Sequence, residues 1–353
     1  MMNGMEATDR IFSLIRKNIL HLMPYSCARD EFKGRAAKVF LDANENPYGT
    51  PLNRYPDPLQ EELKEKLAIV KEVNAQRIFL GNGSDEAIDL VYRIFCEPRQ
   101  DNVVAIAPTY GMYRVCAEIN DVEYRAVELN DDFTLDVDRL LAAADERTKV
   151  FWICSPNNPT GNAFAREGIE RVLQGFPGIV VVDEAYSDFN TLRPFRLDLD
   201  RFPNLIVLNT FSKLWASAAI RLGMAFAREE VIALFNKVKY PYNVNLLTQQ
   251  QAMRVLDDLQ HVNQWRATLL NERDHLLPAI AELPVCKCVF PTDANFVLVR
   301  MTDAERIYHY LVDRGIIVRN RSRVQLCGNC LRITIGTPQE NNALLGALRQ
   351  YRP

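Results

Sequence analysis

Residues 179–213 read IVVVDEAYSDFNTLRPFRLDLDRFPNLIVLNTFSK and contain two short apolar runs, Ile179–Val182 and Leu205–Leu208. Continuous apolar runs of this length are typical of strands that are covered on both faces of a parallel sheet. Each run is followed by polar residues, which include Asp183 after the first and Lys213 after the second. Ligands collect outside the carboxyl ends of such strands, so we expect Asp183 and Lys213 to face one crevice.

The same alternation continues upstream. Apolar runs at Val103–Ala107 and Val150–Cys154 precede segments with helical spacing at Tyr110–Ile119 and Arg166–Gln174. This pattern indicates an α/β fold with a mostly parallel sheet between helices. After about residue 228, longer helical segments alternate with short strands, among them one predicted at Ile316–Val318. We expect an N-terminal arm with one helix (1–40), a large α/β domain (41–240) and a smaller α+β domain (241–353).

Composition narrows the class of protein. The chain has 353 residues, 48% of them hydrophobic and 25% charged, with a formal net charge of −3, which are ordinary values for a soluble globular protein. This balance predicts no general attraction to nucleic acid or to an anionic membrane. The aliphatic runs are far shorter than a bilayer span, and the N-terminus lacks the apolar block of a secretory signal. We expect a cytoplasmic protein.

Eight cysteines include the pairs Cys286/Cys288 and Cys327/Cys330, and CxxC spacing occurs in zinc sites. The first pair is a CxC, about forty residues separate the pairs, and strand-like segments flank them. We therefore favour reduced thiols packed as small hydrophobic side chains, with no metal bound. Whether these cysteines ever oxidise is left open.

The polar residues at the strand ends could together bind one ligand, a pyridinium ring that carries a phenolate, an aldehyde and a phosphate. A lysine amine such as Lys213 can form a Schiff base with an aldehyde. A buried Asp183 needs a cationic partner, and a protonated ring nitrogen would provide one. Alternatively, Asp183 caps a helix through residues 184–186. Tyr186 and Asn157 could both hydrogen-bond to the phenolic oxygen.

A phosphate cradle is predicted at Gly81-Asn-Gly-Ser-Asp-Glu86, which opens a helix at Asp85–Phe95. Glycines let the backbone approach an anion, and N–H groups at a helix start point towards it. Ser84 is equally a candidate helix N-cap. Further groups could complete the site: Thr210, Ser212 and Arg221 around the phosphate, and Tyr110 stacked on the ring.

The chain resembles fold-type I pyridoxal-phosphate aminotransferases in three motifs: Ser155-Pro-Asn-Asn-Pro-Thr-Gly161, Asp183-Glu-Ala-Tyr186, and Ser212-Lys213 with Arg221. Four further segments narrow the resemblance to the histidinol-phosphate aminotransferase subfamily: Leu41–Pro47, Arg54–Pro58, Pro108–Tyr113 and Cys330–Thr337. The matches run in one order from about residue 16 to the C-terminus. The resemblance implies a fold-type I transferase with pyridoxal 5'-phosphate that moves an amino group between L-histidinol phosphate and 2-oxoglutarate in histidine biosynthesis, producing imidazole-acetol phosphate and glutamate.

The resemblance also implies roles for individual residues. Lys213 would hold the cofactor and move the proton, Asp183 would keep the ring nitrogen protonated, and Tyr110 would cover the ring. Asn157 and Tyr186 would contact the phenolic oxygen. The phosphate would be surrounded by Ser84, Asp85, Thr210, Ser212 and Arg221, the first two through backbone N–H groups. Tyr55 would reach the phosphate of the neighbouring subunit, which implies a homodimer.

The substrate's anionic end would be received by Arg332, Arg319 and Tyr25, since guanidinium groups suit bidentate contact with a phosphate. Alternatively, the run Arg319-Asn-Arg-Ser-Arg323 is a solvated basic loop. Ala219 departs from the family pattern, which usually has glycine there. Its methyl group would shift Arg221 slightly if that backbone needs a positive φ.

Other functions are left open to different degrees. An aromatic-amino-acid aminotransferase or a threonine-phosphate decarboxylase would use the same scaffold. A cofactor-binding protein without catalysis would not need Lys213. Nicotinamide and nucleoside-triphosphate enzymes are disfavoured because no G-x-G-x-x-G follows the first strand and no G-x-x-x-x-G-K-[ST] occurs. A histidine-based hydrolase is disfavoured because the four histidines avoid the strand-end loops.

Overall fold

A seven-stranded sheet forms the centre of the large domain in the computed structural model, which describes residues 10–27 and 38–352. The strands are β1 (Ile78–Asn82), β2 (Asn102–Ala107), β3 (Glu123–Glu128), β4 (Thr148–Cys154), β5 (Ile179–Asp183), β6 (Leu205–Thr210) and β7 (Leu222–Phe226). Their order is β1-β7-β6-β5-β4-β2-β3, and β7 runs antiparallel to β1 and β6 while the other pairs are parallel. The predicted α/β class is confirmed.

Helices cover both faces of this sheet because strands β2, β5 and β6 are buried at every position and need apolar partners on either side. The helices are α1 (Lys17–Leu20), α2 (Glu61–Lys71), α3 (Gly83–Phe95), α4 (Met112–Ile119), α5 (Val137–Ala142), α6 (Arg166–Gly175) and α7 (Glu229–Val238). One core cluster contains buried residues of α2, α5 and α6, and the other contains those of α3, α4 and α7.

The described part of the N-terminal arm packs on the outer side of α3. Ile11, Ile15 and Ile19 are spaced by four residues and are buried in the same core cluster as that helix. The backbone N–H of Arg16 donates to the carbonyl of Ile94 at 2.9 Å. Residues 1–9 and 28–37 of the predicted arm lie outside the described residues.

The C-terminal part is built on a four-stranded antiparallel sheet of order β10-β11-β9-β8. Its elements are α8 (Leu246–Asp257), α9 (Leu259–Ala281), β8 (Cys286–Val289), β9 (Phe296–Met301), α10 (Ala304–Val312), β10 (Arg319–Asn320), β11 (Cys330–Thr334) and α11 (Pro338–Gln350). Val262 of α9 joins the core of the large sheet, whereas Leu276 and Ile280 join a separate core under the small sheet. These clusters lead us to propose a domain boundary within α9 rather than at residue 241.

The strand predicted at Ile316–Val318 is wrong. A turn that ends at Gly315, with φ +73°, is followed by irregular backbone, and the ladder begins only at Arg319. In that register Arg319 lies directly opposite Arg332 on β11. Because the strand begins at Arg319 and not at Ile316, two arginines lie side by side on neighbouring strands.

Three other expectations concern cysteines, metals and membranes. Six of the eight cysteines are buried, Cys286 is half-buried and Cys288 is exposed, so apolar packing accounts for most of the thiols. Within the described ranges no group of three His, Cys, Asp or Glu side chains could hold a metal ion. In the same ranges, no helix combines the length and the apolar character needed to cross a bilayer.

Candidate active site

A cavity of about 640 Å³ opens where β4, β5 and β6 end, and the small sheet closes its other side. Eleven of the fourteen predicted site residues line it, and the three that do not are Asn157, Tyr55 and Tyr25. Asp183 and Lys213 are both in the lining, so the expected shared crevice exists. The lining contains five basic side chains and two acidic ones, which favours anionic ligands.

Asp183 is the last residue of β5, and its carboxylate is buried. Oδ2 accepts a hydrogen bond from the Tyr113 hydroxyl at 2.7 Å, and Oδ1 accepts one from the Ala185 N–H at 3.0 Å. Burial raises the pKa of Asp183, and the Tyr113 hydrogen bond opposes this shift. Both donors are neutral, so the site favours the approach of a cationic group. The alternative of a helix cap is wrong, because no α-helix runs through residues 184–186.

Lys213 lies three residues past β6, and its Nζ is 5.3 Å from the ring centroid of Tyr186. Burial lowers the pKa of Lys213, and the positive charge of Arg332 lowers it further, while Asp183 raises it. A lowered pKa increases the neutral fraction of the amine, which is the form that attacks an aldehyde.

The phosphate cradle lies at the first turn of α3. This helix begins at Gly83 rather than at Asp85, and Asn82 occupies the N-cap position without a side-chain capping bond. Ser84 is thus a residue of the first turn, and its prediction as the N-cap is wrong. The first-turn N–H groups of Ser84 and Asp85 have no carbonyl within the helix to bond, so they are free to bind an anion.

Gly83 and Gly223 make this turn possible. Gly83 has φ +72°, and a Cβ there would lie 2.6 Å from the Arg221 Nη2. Gly223 on β7 passes directly beneath the turn, and a Cβ there would lie 2.0 Å from the Ser84 backbone nitrogen. Gly223 was not predicted as part of the site, although glycine inside a strand is a known sign of close backbone approach.

Hydroxyl groups and a guanidinium lie beside this turn. The Thr210 hydroxyl donates to the Ser212 Oγ at 3.0 Å, and Arg221 Nη1 donates to the same Oγ at 3.4 Å. Arg221 Nη2 also forms an ion pair with Asp85 at 3.3 Å. Arg221 itself has φ +54°, whereas Ala219 has no positive φ. The extra methyl group of Ala219 therefore causes no backbone strain of the kind considered above.

Asn158, and not Asn157, faces the cavity. Asn157 is buried, and its Nδ2 donates to the carbonyl of Pro108 and to the hydroxyl of Thr160, both at 2.9 Å. Its Oδ1 accepts from Thr109, so the amide is occupied inside the turn. Asn158 lines the cavity, and its Oδ1 accepts a hydrogen bond from Arg332 Nη1. The predicted contact of Asn157 with a ligand is therefore not supported, and the sequence held no signal to choose between the two.

Three tyrosines surround the Asp183 side of the cavity. The Tyr110 hydroxyl donates to Asp85 Oδ1 at 3.0 Å, which leaves its ring on the cavity wall. Tyr186 also lines the cavity, and burial raises the pKa of its phenol. Tyr113 was not predicted, yet it stacks on Trp152 at 4.8 Å and holds Asp183. Tyr113 lies in the first turn of α4, directly after the strand-end loop that carries Tyr110, and this closeness in sequence was the available signal.

The far side of the cavity carries three arginines, Arg319, Arg321 and Arg332. Arg332 is half-buried, and its guanidinium carbon lies 5.2 Å from the ring centroid of Phe296. Burial lowers the pKa of Arg332. Arg319 is exposed on its strand and belongs to the lining, and Arg321 is half-buried in the same lining, so the role of Arg319 at the substrate's anionic end stays a prediction.

Tyr55 and Tyr25 lie outside the cavity. The Tyr55 side chain is exposed and stacks on Tyr242 with ring centroids 4.4 Å apart. Tyr25 is 75% exposed. The prediction that Tyr55 serves a neighbouring subunit and the prediction that Tyr25 binds substrate both stay predictions.

The residues present fit pyridoxal 5'-phosphate. Its phosphate suits the first-turn N–H groups and Arg221, and its protonated ring nitrogen suits the buried carboxylate of Asp183. The decisive feature is the cradle itself, because Gly83 with φ +72° and the close approach of Gly223 to the Ser84 nitrogen hold the first turn of α3 beside Arg221.

Comparisons with known proteins agree with this geometry. Residues 30–348 match the family described as "Aminotransferase class I and II". A histidinol-phosphate aminotransferase of Bacteroides fragilis is 60% identical over 339 residues, which cover 96% of this chain and 98% of that protein. The solved histidinol-phosphate aminotransferase of Clostridium acetobutylicum superposes with a TM-score of 0.78 at 23% identity, covering 87% of this chain and 97% of that one. The enzyme of Sinorhizobium meliloti, solved with pyridoxal 5'-phosphate, gives 0.76 at 22% identity over 95% and 96%.

Proposed function

The chain belongs to the class I and II aminotransferase family, and we propose that it transfers an amino group between L-histidinol phosphate and 2-oxoglutarate in histidine biosynthesis. One observation carries this proposal: a single cavity joins the Lys213 and Asp183 pair to a second anion site lined by arginines. The relative from Bacteroides fragilis carries the name of this activity at 60% identity.

Pyridoxal 5'-phosphate is the cofactor, and when bound it supplies an electron sink that stabilises negative charge on the substrate carbon. Lys213 would hold its aldehyde carbon, and Asp183 would pair with its ring nitrogen. Ser84, Asp85 and Arg221 would bind its phosphate, the first two through backbone N–H groups. Each of these five residues lines the cavity.

The amine of Lys213 acts as the base that removes and returns the proton on the substrate carbon. Burial and the charge of Arg332 lower its pKa, which increases the neutral fraction of the amine, the form that can accept a proton. Tyr186 covers the lysine side of the cavity and offers its hydroxyl to the ligand. Asp183 supplies the negative charge that keeps the ring nitrogen protonated, and Tyr113 fixes its direction.

Arg319 and Arg332 orient the substrate. Both substrates of a ping-pong reaction carry an anionic end, the phosphate of histidinol phosphate and a carboxylate of glutamate. Arg332 is held by Asn158 and by the face of Phe296, so its guanidinium is preorganised for either anion. The single carboxylate of an aromatic amino acid uses this pair of arginines less fully than a phosphate dianion does, which disfavours an aromatic-amino-acid aminotransferase.

The test is a single-turnover reaction of the cofactor-loaded protein with each amino donor, followed by the absorbance of the cofactor. We expect kcat/KM for histidinol phosphate to exceed that for histidinol, which lacks only the phosphate, by at least about 100-fold. Phenylalanine is the second control. Equal use of histidinol or phenylalanine, or release of CO₂ from threonine phosphate, would contradict the proposal.

We further propose that the protein is a homodimer in which Tyr55 completes the partner's site. The exposed Tyr55 ring and the nearby exposed Tyr48 and Leu52 side chains support this assembly. Mixing the variants Lys213→Ala and Tyr55→Phe tests it. If Tyr55 acts across the interface, hybrids contain one intact site and regain activity that neither variant has alone. If Tyr55 acts within its own chain, mixing restores nothing.

A further inference from the structure

Arg321 has no place in the function described so far, although it lines the same cavity as Lys213 and Arg332. Its side chain is half-buried, and its Nε is buried without a hydrogen-bond partner among residues 10–27 and 38–352. A buried polar nitrogen that lacks a partner costs free energy unless a ligand or water bonds it.

The surroundings of Arg321 are positively charged. Arg332 and Arg319 are the charged groups that act on it most, and both lower the pKa of Arg321, as burial does. Arg319 and Arg332 also lie directly opposite each other on β10 and β11, where like charges are destabilising. The three arginines therefore concentrate positive charge on one wall of the cavity, which favours an anion of high charge there.

The backbone holds Arg321 in place. Its N–H donates to the carbonyl of Cys330 at 2.8 Å, and its own carbonyl accepts from the Val324 N–H at 2.8 Å. The same loop is tied to the large domain, where the Gln325 side chain donates to Glu128. A fixed backbone lets the guanidinium contribute without losing loop entropy on binding.

We propose that Arg321 is a third anion-binding residue beside Arg319 and Arg332, which selects a dianionic phosphate over a carboxylate at the anionic end of the substrate. A phosphate monoester carries a charge of about −1.5 to −2 near pH 7 and three acceptor oxygens. A carboxylate carries a charge of −1 and is already served by a bidentate Arg332. This inference rests on the proposed function, since it assumes that histidinol phosphate and glutamate share the site.

Arg323 provides a matched control. It lies in the same loop two residues further on, carries the same charge and is exposed, but it does not line the cavity. Replacing either arginine with glutamine removes one positive charge from the loop. Only the replacement of Arg321 removes a guanidinium from the cavity wall.

The experiment compares single-turnover kcat/KM for histidinol phosphate and for glutamate, each reacting with the same cofactor-loaded form. We expect Arg321→Gln to lower the value for histidinol phosphate by about 10- to 100-fold, the range for one hydrogen bond to a charged group, and the value for glutamate by at most about 3-fold. Arg323→Gln should leave the ratio of the two unchanged, and Arg321→Lys should recover part of it. Inhibition by inorganic phosphate should weaken in Arg321→Gln.

Two results would overturn the inference. Equal losses for both substrates in Arg321→Gln would mean that the residue acts on the cofactor side or on folding. No loss for either substrate in Arg321→Gln, or the same change of ratio in Arg323→Gln, would mean that the cavity position of Arg321 has no effect on selectivity. Failure of the unsubstituted protein to use histidinol phosphate would instead refute the proposed function, and that measurement is made separately.

Discussion

The replacement Asp183→Asn separates what the buried carboxylate does for folding from what it does for catalysis. Asp183 accepts from Tyr113 at 2.7 Å and from the Ala185 N–H at 3.0 Å. In the variant, the amide oxygen can still accept from Ala185, and the amide nitrogen can donate to the Tyr113 hydroxyl oxygen. The shape and both contacts are thus kept, the bond to Tyr113 with its direction reversed, while the charge is removed.

The sign of the stability effect follows from the pKa. Burial raises the pKa of Asp183 above its ordinary value, so the folded cofactor-free protein binds this proton more tightly than the unfolded chain. The resulting stabilisation is complete below the unfolded pKa and is lost as pH rises through the folded pKa. At pH 7.5 we expect cofactor-free Asp183→Asn to be more stable than the unsubstituted protein by on the order of 1–3 kcal/mol, because it buries no charge.

The catalytic rate of Asp183→Asn should fall, although its stability should rise. Without the carboxylate the ring nitrogen loses its negative partner, and we expect kcat to fall on the order of 100- to 1,000-fold. Urea unfolding of the cofactor-free proteins at pH 7.5 and pH 5 measures the stability part. Asp200→Asn is a control for which we expect the opposite effect on stability. The hydrogen bond from Arg77 lowers the pKa of Asp200, so removing this charge should destabilise the protein at pH 7.5. If Asp183→Asn proves less stable than the unsubstituted protein at pH 7.5, the reasoning about the buried charge is refuted.

Three further predictions follow from the geometry. Gly223→Ala should weaken cofactor binding in a fluorescence titration and cost about 1–3 kcal/mol of stability, because its Cβ would lie 2.0 Å from a backbone nitrogen of the cradle; unchanged binding would contradict this close approach. Asn158→Ala should lower kcat/KM through its contact with Arg332, whereas Asn157→Ala should lower the melting temperature; the reverse pattern would place the wrong asparagine at the cavity. The pH dependence of the rate of cofactor loading should have its midpoint below the ordinary lysine pKa, because burial lowers the pKa of Lys213. Arg332→Gln should raise this midpoint, since the charge of Arg332 also lowers the pKa of Lys213. An unchanged midpoint in Arg332→Gln would refute the influence of Arg332 on Lys213.

The sheet and the position of its ligand site could be predicted because strands buried on both faces appear in the sequence as continuous apolar runs. The runs ending at Val182 and Leu208 are apolar without interruption, since helices cover both faces of their strands. The residues after such runs must emerge at one edge of the sheet, which is why Asp183 and Lys213 could be assigned to one crevice.

Other features depend on contacts between distant parts of the chain and leave no such pattern in the sequence. Asn157 and Asn158 are identical neighbours, and only the folded turn decides which one is occupied by internal hydrogen bonds. Arg321 and Arg323 differ likewise only in the direction imposed by the loop. The boundary that we propose within α9 leaves no such pattern in the sequence either, because one continuous helix contributes to two cores.

The central claim is that the amine at position 213 and the acid at position 183 act on one bound pyridoxal 5'-phosphate. Borohydride reduction of the cofactor-loaded protein, followed by peptide mass spectrometry, tests it most directly. We expect the reduced cofactor to be attached to Lys213, and we expect Asp183→Asn to shift the absorption of the bound cofactor before reduction. Attachment to a different lysine, or no attachment at all, would contradict it.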